Sequence, residues 1–423
     1  MLQCFVRGGP RPALRRSVRG AATFVRGAAK PFADDFAHHA PGVARWNNGS
    51  FGAVPRPVLE AQQSSRMDWL SQPDALYFSG LLDAELEIAA DAAALAMGAP
   101  TKCVALVENS GLASSIILQR WRNKLDASKN KVLALSSTYG GVRNAMVGVL
   151  GEERCCFSNV EFPRTTHFKV LESLETALRL HWPRFALLDH ISSQPAIVLP
   201  VREMVALCRQ YGVEEVAVDG AHVLGQLPLD VLDVGADWFF TNVHKWAFGP
   251  AACAAVYAPE DVLQETRHVV SSWHTDKGLA KESRWPGTRD FSAALVVPGA
   301  LEYHGKWRSV QNLSVTDYNV QGCRDAEYQL RDAWGVEEAY SEECIGAMAM
   351  VRLPLTIDAS LDAPGRPAAQ DSLRSILRQR YGVEAAVGEF QGRGFIRLSH
   401  AVYNTDLDLV RLRDAILDIA ERR

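Results

Sequence analysis

Lys245 stands in "TNVHKW" (residues 241–246), between the apolar runs "ADWFF" and "AACAAVYA". Both runs read as buried strand, and a charge between core strands is costly unless it is paired or neutralised. A turn whose lysine reaches water would avoid that cost. So would a lysine that serves as a nucleophile. Asp219 closes the run "EEVAVD", His222 follows three residues on, and Lys245 comes after the next apolar run. A carboxylate at a strand end in a desolvated cleft needs a cationic partner to stay ionised. A lysine flanked by Trp246 and Phe248 can lose basicity, which leaves neutral amine to attack an aldehyde.

A Schiff-base lysine, a carboxylate for a pyridine nitrogen, an aromatic side chain under the ring and phosphate donors are what pyridoxal 5′-phosphate requires. Ser110 and Gly111 stand where a helix begins, so backbone N–H groups and the helix dipole can hold a phosphate. Tyr139 follows the next apolar run and can stack on a ring. Arg397, in "FIRLSH", can clamp a substrate α-carboxylate with two parallel hydrogen bonds. Singly, each has an ordinary explanation: Asp-Gly-Ala-His as a turn, a strand arginine as a surface ion pair. Their order along the chain is what unites them: phosphate loop, ring stacker, aspartate, lysine, late arginine.

The elements that must position them alternate. "CVALV", "KVLALS", "FALLDH", "EVAVDG", "DWFFTN" and "AACAAVYA" are short apolar runs separated by amphipathic segments. That alternation predicts an α/β fold with a mostly parallel sheet covered by helices on both faces. Ligands on such sheets bind at the C-terminal ends of the strands. Asn109, Ser110, Tyr139, Asp189, His190, Asp219 and His222 all follow apolar runs and become the candidates. Two helical patterns are expected between residues 57 and 98. Beyond residue 310 the pattern changes to a smaller α+β unit closed by a C-terminal helix. The expected organisation is a leader over 1–33, an N-terminal arm and active-site loop over 34–56, a large cofactor-binding domain over 57–309 and a small domain over 310–423.

The first 33 residues carry seven basic side chains and no acidic one. That composition fits an organelle transit peptide, with the mitochondrion favoured because arginine is abundant and Ser and Thr are few, and with chloroplast or cytoplasm as alternatives. With that +7 set aside, the formal net charge of −4 becomes −11 for the remainder. An acidic body with no basic face argues against non-specific nucleic-acid binding. No run of about 18 apolar residues is present, so no membrane-spanning helix is expected. The eight cysteines form no C-x-x-C pair, and they read as reduced thiols. No metal site is expected; His38-His39 reads as a solvated pair.

The combination of "NNGSFGAVPRPVLEA", "STYGGVRNA", "LLDHISSQPAIVLPV", "VDGAHVLGQLPLD", "TNVHKWAFGP", "WPGTRDFSAALVVP" and "IRLSHAVYNTDLDLVRL" resembles the class V aminotransferase family of fold-type I pyridoxal-phosphate enzymes, over roughly residues 44 to 420. Its isopenicillin-N-epimerase-like and cysteine-desulfhydrase-like branch is the nearest in pattern. The resemblance implies a seven-stranded, mostly parallel sheet in the large domain. It implies Lys245 as the Schiff-base lysine and proton carrier at the substrate Cα, Asp219 as partner of the pyridine nitrogen and His222 as donor to the ring's phenolic oxygen. Tyr139 falls at the stacking position, and Ser110, Gly111, Asn242 and His244 fall around the phosphate. Thr288, in "GTRD", resembles a residue that reaches the phosphate from a second subunit, which implies a homodimer. Arg397 matches the carboxylate-binding arginine, and Asn48 and Gly49 match the loop that covers the substrate. Two departures stand out. Gly111 replaces a frequent threonine, and Asn48 replaces a frequent histidine.

The motifs fix loss of the Cα proton of an amino acid, not the step that follows. The segment "YGVEAAVGEFQGRG", where class V desulfurases carry their persulfide cysteine, contains no cysteine. β-Elimination from cysteine or a cysteine derivative, releasing sulfide or thiol, pyruvate and ammonia, is what the resemblance to the cysteine-desulfhydrase-like branch implies, together with the leader and the missing persulfide cysteine, and it is the leading expectation. Epimerisation or transamination is the alternative, and a cofactor-binding protein without turnover is a third.

Overall fold

Seven strands have nearly every residue buried, because helices cover both faces of their sheet. They are β1 (Val104–Val107), β2 (Val132–Leu135), β3 (Cys155–Ser158), β4 (Phe185–Asp189), β5 (Glu215–Asp219), β6 (Trp238–Asn242) and β7 (Ala254–Tyr257). The structure, a computed structural model, describes residues 27–125, 131–357 and 370–422. The spatial order is β1-β7-β6-β5-β4-β2-β3. β7 runs antiparallel to both of its neighbours, and every other pairing is parallel. The mostly parallel seven-stranded α/β architecture expected from the alternating pattern is the one observed.

Period-two alternation divides the sheet's side chains between two cores. Leu106, Leu133, Leu188, Val218 and Phe239 enter one core, while Val107, Ala134, Leu187, Ala217 and Phe240 enter the other. Because β1 is antiparallel to β7 and β7 to β6, β1 points the same way as the parallel strands. The C-terminal ends of β1, β2, β4, β5 and β6 therefore lie along one edge. Asn109, Tyr139, Asp189, Asp219 and Asn242 are delivered to that edge by topology alone.

Three helices occupy the segment where two were expected: Arg56–Ser71, Pro73–Phe78 and Leu81–Ala96. Pro73 at the start of the second divides the first pattern, because its ring cannot continue a helix. After the helix Val315–Trp334, three further strands, β8 (Met348–Arg352), β9 (Ala386–Phe390) and β10 (Arg393–Ser399), form an antiparallel sheet in the order β9-β10-β8. Helix Asp406–Glu421 follows, opened by a capping box between Thr405 and Asp408. Ala44–Arg45 pairs in parallel with Val383–Glu384, tying the N-terminal arm to this region.

The expected leader divides in two. Residues 1–26 lie outside the described residues, whereas residues 27–33 are part of the fold. The N–H of Ala29 bonds the carbonyl of Arg308, that of Val310 bonds Gly27, and Phe32 meets the edge of Tyr303 at 5.6 Å. The seven described cysteines are all free. Cys156 is buried in β3, where desolvation pushes its thiol up to about 12, so the Cys155-Cys156 pair offers no ready thiolate.

Candidate active site

β6 ends at Asn242, and a single helical turn, Val243–Trp246, carries Lys245 out over the edge of the sheet. The Lys245 amine lies 3.1 Å from Nε2 of His222. The indole N–H of Trp246 points to Nδ1 of the same imidazole at 3.4 Å. With Nδ1 accepting, a neutral ring keeps its hydrogen on Nε2, where the lysine amine can accept it once that amine loses its proton. Both groups are less basic than usual. Burial lowers Lys245 to about 8, with Arg397 adding to the effect and Asp219 opposing it. Burial, together with the charge on Lys245, holds His222 well below the ordinary imidazole range, which keeps it neutral. Asp219 is buried at the end of β5 and accepts the N–H of Ala221 at 2.9 Å. Desolvation raises its pKa, against that bond and the charge of Lys245.

At the neighbouring strand end, Asn109 caps the helix Ser110–Lys124 by accepting the N–H of Leu112. The backbone N–H of Ser110 bonds Oδ1 of Asn242 at 3.0 Å, joining the helix start to the lysine turn. The Ser110 hydroxyl is buried and has no hydrogen-bond partner. A buried hydroxyl without a partner at a helix N-terminus suits an anion. Gly111 beside it is exposed. His244 donates through Nδ1 to the carbonyl of Cys253 at 2.9 Å, which fixes its ring, and burial lowers its pKa. Tyr139 begins the helix Gly140–Leu150 with its ring half open to solvent.

The loop from Asn47 to Gly52 lies directly on the lysine turn. A Cβ on Gly52, whose φ is +71°, would fall 1.9 Å from the carbonyl oxygen of His244. A Cβ on Gly49 would fall 2.5 Å from the sulfur of Met348. Gly52 is needed for the approach to the lysine turn, and Gly49 for the approach to Met348 and Ser399. Asn48 spends its side chain on the loop itself, donating to the carbonyl of Lys245 at 3.2 Å and accepting from the Tyr403 hydroxyl at 3.0 Å. The neighbouring Asn47 reaches the arginine instead. Its Oδ1 accepts from Nη2 of Arg397 at 2.7 Å, Ser50 accepts from the same nitrogen at 2.9 Å, and Ser193 receives Nη1 through its carbonyl at 2.9 Å. Burial brings Arg397 down to about 10, which leaves it protonated at neutral pH.

Asn47, Ser50 and Ser193 were not anticipated from sequence. Asn47 and Ser50 flank the residues chosen in "NNGSFG", and only the loop's turn decides which amide faces the guanidinium. Thr288 is exposed. Its neighbour Arg289 pairs with Glu108 just before Asn109, so the loop carrying Thr288 is anchored beside the phosphate-loop edge of its own chain. Away from the site, His167, Glu343 and Cys344 bring ligand-type atoms within 4.8 Å. Glu343 there accepts the first N–H of helix His167–His181, which accounts for its position as a cap.

A depressed lysine, a buried aspartate and an open anion seat on one edge of a doubly wound sheet define an enzyme site for an aldehyde cofactor with a phosphate arm. The chain belongs to the aminotransferase class-V family, whose model matches residues 52–303. L-cysteine desulfhydrase of Arabidopsis thaliana is 33% identical over 416 residues, 92% of this chain and 90% of that protein. Isopenicillin N epimerase of Streptomyces clavuligerus is 26% identical, covering 89% of this chain and 94% of its own. Among solved structures, the cystine C-S lyase C-DES in complex with its reaction product, cysteine persulfide, superposes with a TM-score of 0.71 at 17% identity, over 89% of this chain and 98% of that one. The cofactor is pyridoxal 5′-phosphate. The orphan Ser110 hydroxyl, the Lys245 amine of lowered basicity and the buried Asp219 carboxyl fit it.

Proposed function

We propose that this enzyme is a C–S lyase that cleaves the Cβ–S bond of cysteine or a cysteine derivative. The observation that carries this reading is the 33% identity to an L-cysteine desulfhydrase over 92% of this chain. With L-cysteine and one water, the products are sulfide, pyruvate and ammonia, with no net oxidation. Bound pyridoxal phosphate supplies the electron sink at the substrate Cα.

Lys245 takes the Cα proton, and its lowered pKa leaves neutral amine available near physiological pH. Arg397 holds the α-carboxylate, and Asn47, Ser50 and Ser193 fix the plane of its guanidinium. Bound there, the cofactor would have Asp219 to hold its ring nitrogen, His222 to donate to its phenolic oxygen and Tyr139 to stack on its ring. Ser110, Gly111, Asn242 and His244 would hold its phosphate. Asn48 and Gly49 form the lid that excludes water over the substrate, Asn48 through its bond to the Lys245 carbonyl.

The absence of cysteine before Arg397 supports elimination over persulfide transfer. From Ala386 on, that segment folds into β9 and the start of β10, which pair across a tight turn at Gln391–Gly392. Epimerisation or transamination on the same site is the alternative, favoured by the likeness to isopenicillin N epimerase. The enzyme loaded with cofactor is incubated with L-cysteine, and sulfide and pyruvate are measured. Their equimolar release, lost in Lys245→Ala, is the expected result. Inversion of Cα, or consumption of a keto acid without either product, sinks the lyase reading.

We also propose a homodimer in which Thr288 reaches the partner's phosphate. Thr288 is exposed, and so are the large apolar side chains of Val269, Val270 and Trp273 that precede it. Met67 and Leu70 are exposed on helix Arg56–Ser71, which is tied to the same loop by the Arg66–Asp290 bond. Apolar side chains left open beside a site residue are characteristic of an interface. Residues 57–309 and 310–423 are proposed as large and small domains, and the basic residues before Gly27 as the organelle signal, mitochondrial by composition.

A further inference from the structure

Asp189 closes β4 and is the register partner of Asp219 on β5. Register partners in a parallel ladder point to the same face, so two carboxyl groups stand side by side at the site's edge. Both are buried, 2% and 4% exposed. Asp189 accepts the hydroxyl of Thr138 at 2.8 Å. That hydroxyl in turn accepts the N–H of Leu135 at 3.2 Å, which commits its own hydrogen to Asp189. The backbone of Tyr139 also bonds the Asp189 carboxyl. Asp189 therefore anchors the turn that carries Tyr139.

The two carboxyls differ in their surroundings. The largest influences on Asp189, beside its burial, are the carboxyl of Asp219, the Thr138 hydroxyl and the backbone of residues 189 and 139, none of them a cation. Asp219 has the N–H of Ala221 and the charge of Lys245. Behind Lys245 stand His222, held neutral, and Arg397. Two like charges in adjacent, desolvated positions do not both persist. The pair keeps one proton, and the carboxyl that faces a cation is the one that ionises. Burial, and then the neighbouring carboxylate, raise Asp189 in keeping with this.

We propose that Asp189 is a proton-holding positioning residue: as a neutral acid it seats the Thr138–Tyr139 turn and leaves Asp219 as the single anion of the pair. The consequence for the cofactor rests on Asp219 serving the ring nitrogen, whereas the location of the proton does not.

Infrared difference spectra of the full chain loaded with pyridoxal phosphate, at mildly acidic pH, locate the proton. The carbonyl band of a buried carboxylic acid is expected in the wild type, lost in Asp189→Asn and kept in Asp219→Asn. A band lost in Asp219→Asn and kept in Asp189→Asn, or absent from the wild type, overturns the proposal. Cofactor affinity, read by fluorescence titration, tests the seat separately. Asp189→Asn, which keeps an acceptor for Thr138, is expected to stay within about threefold of wild type, and Asp189→Leu to weaken binding about tenfold, which is about 1.4 kcal/mol. Equal weakening in both variants overturns the seating role. An Asp219→Asn affinity equal to wild type would remove Asp219 from the ring nitrogen while leaving the infrared result intact.

Discussion

The Lys245 amine and Nε2 of His222 stand 3.1 Å apart, and the indole N–H of Trp246 points to Nδ1 on the far side of the ring, which leaves the Nε2 hydrogen for the amine in its neutral form. That neutral form is the one that attacks an aldehyde.

Cofactor capture should follow the titration of that amine. Burial lowers Lys245 to about 8. A depressed base is neutral above its pKa, so the rate of pyridoxal phosphate uptake by cofactor-free enzyme should rise about tenfold per unit below pH 8 and level above it. Stopped-flow absorbance reads the rate, and a rise continuing to pH 10 would refute the depressed amine. Lys245→Ala should lose the visible band of the bound cofactor and at least about a hundredfold in kcat.

Arg397→Lys keeps the charge and loses the planar fork held by Asn47, Ser50 and Ser193. The substrate KM should rise about 10- to 100-fold, the equivalent of about 1.5–3 kcal/mol for a hydrogen bond to a charged group. Steady-state kinetics should show a smaller change in kcat.

Gly52→Ala would set a methyl group against the carbonyl of His244 at a positive φ. The loop must then lift off the lysine turn, at a cost of about 1–3 kcal/mol from backbone strain alone. Thermal denaturation should show the loss, and Gly27→Ala, with nothing within 4 Å of the added carbon, is the control.

A chain starting at Gly27 keeps the backbone bonds to Arg308 and Val310 and the Phe32–Tyr303 contact, whereas a chain starting at Asp34 loses them. Phe36, which follows, packs on Phe248 beside the lysine turn. The shorter chain should denature at a lower temperature and bind cofactor more weakly. Equal melting temperatures for the two would show that residues 27–33 contribute nothing.

Sequence alone determined the cofactor chemistry and the sheet. Lysine between two strand runs, aspartate at a strand end and a polar helix start are local signals, and strand–helix alternation implies that strand ends meet along one edge. It also placed Lys245, Asp219, His222 and Arg397 in chain order. Tertiary structure decided the contacts made across long separations. It chose Asn47 over Asn48 as the partner of Arg397, because a turn of backbone decides which of two adjacent amides faces inward. It divided residues 57–98 into three helices and brought residues 27–33 into the fold. It paired Asp189 with Asp219, which only the register of β4 against β5 could reveal. "TNVHKW" announced a reactive lysine; its lowered basicity depends on burial and on the charge of Arg397, both supplied by chain remote in sequence.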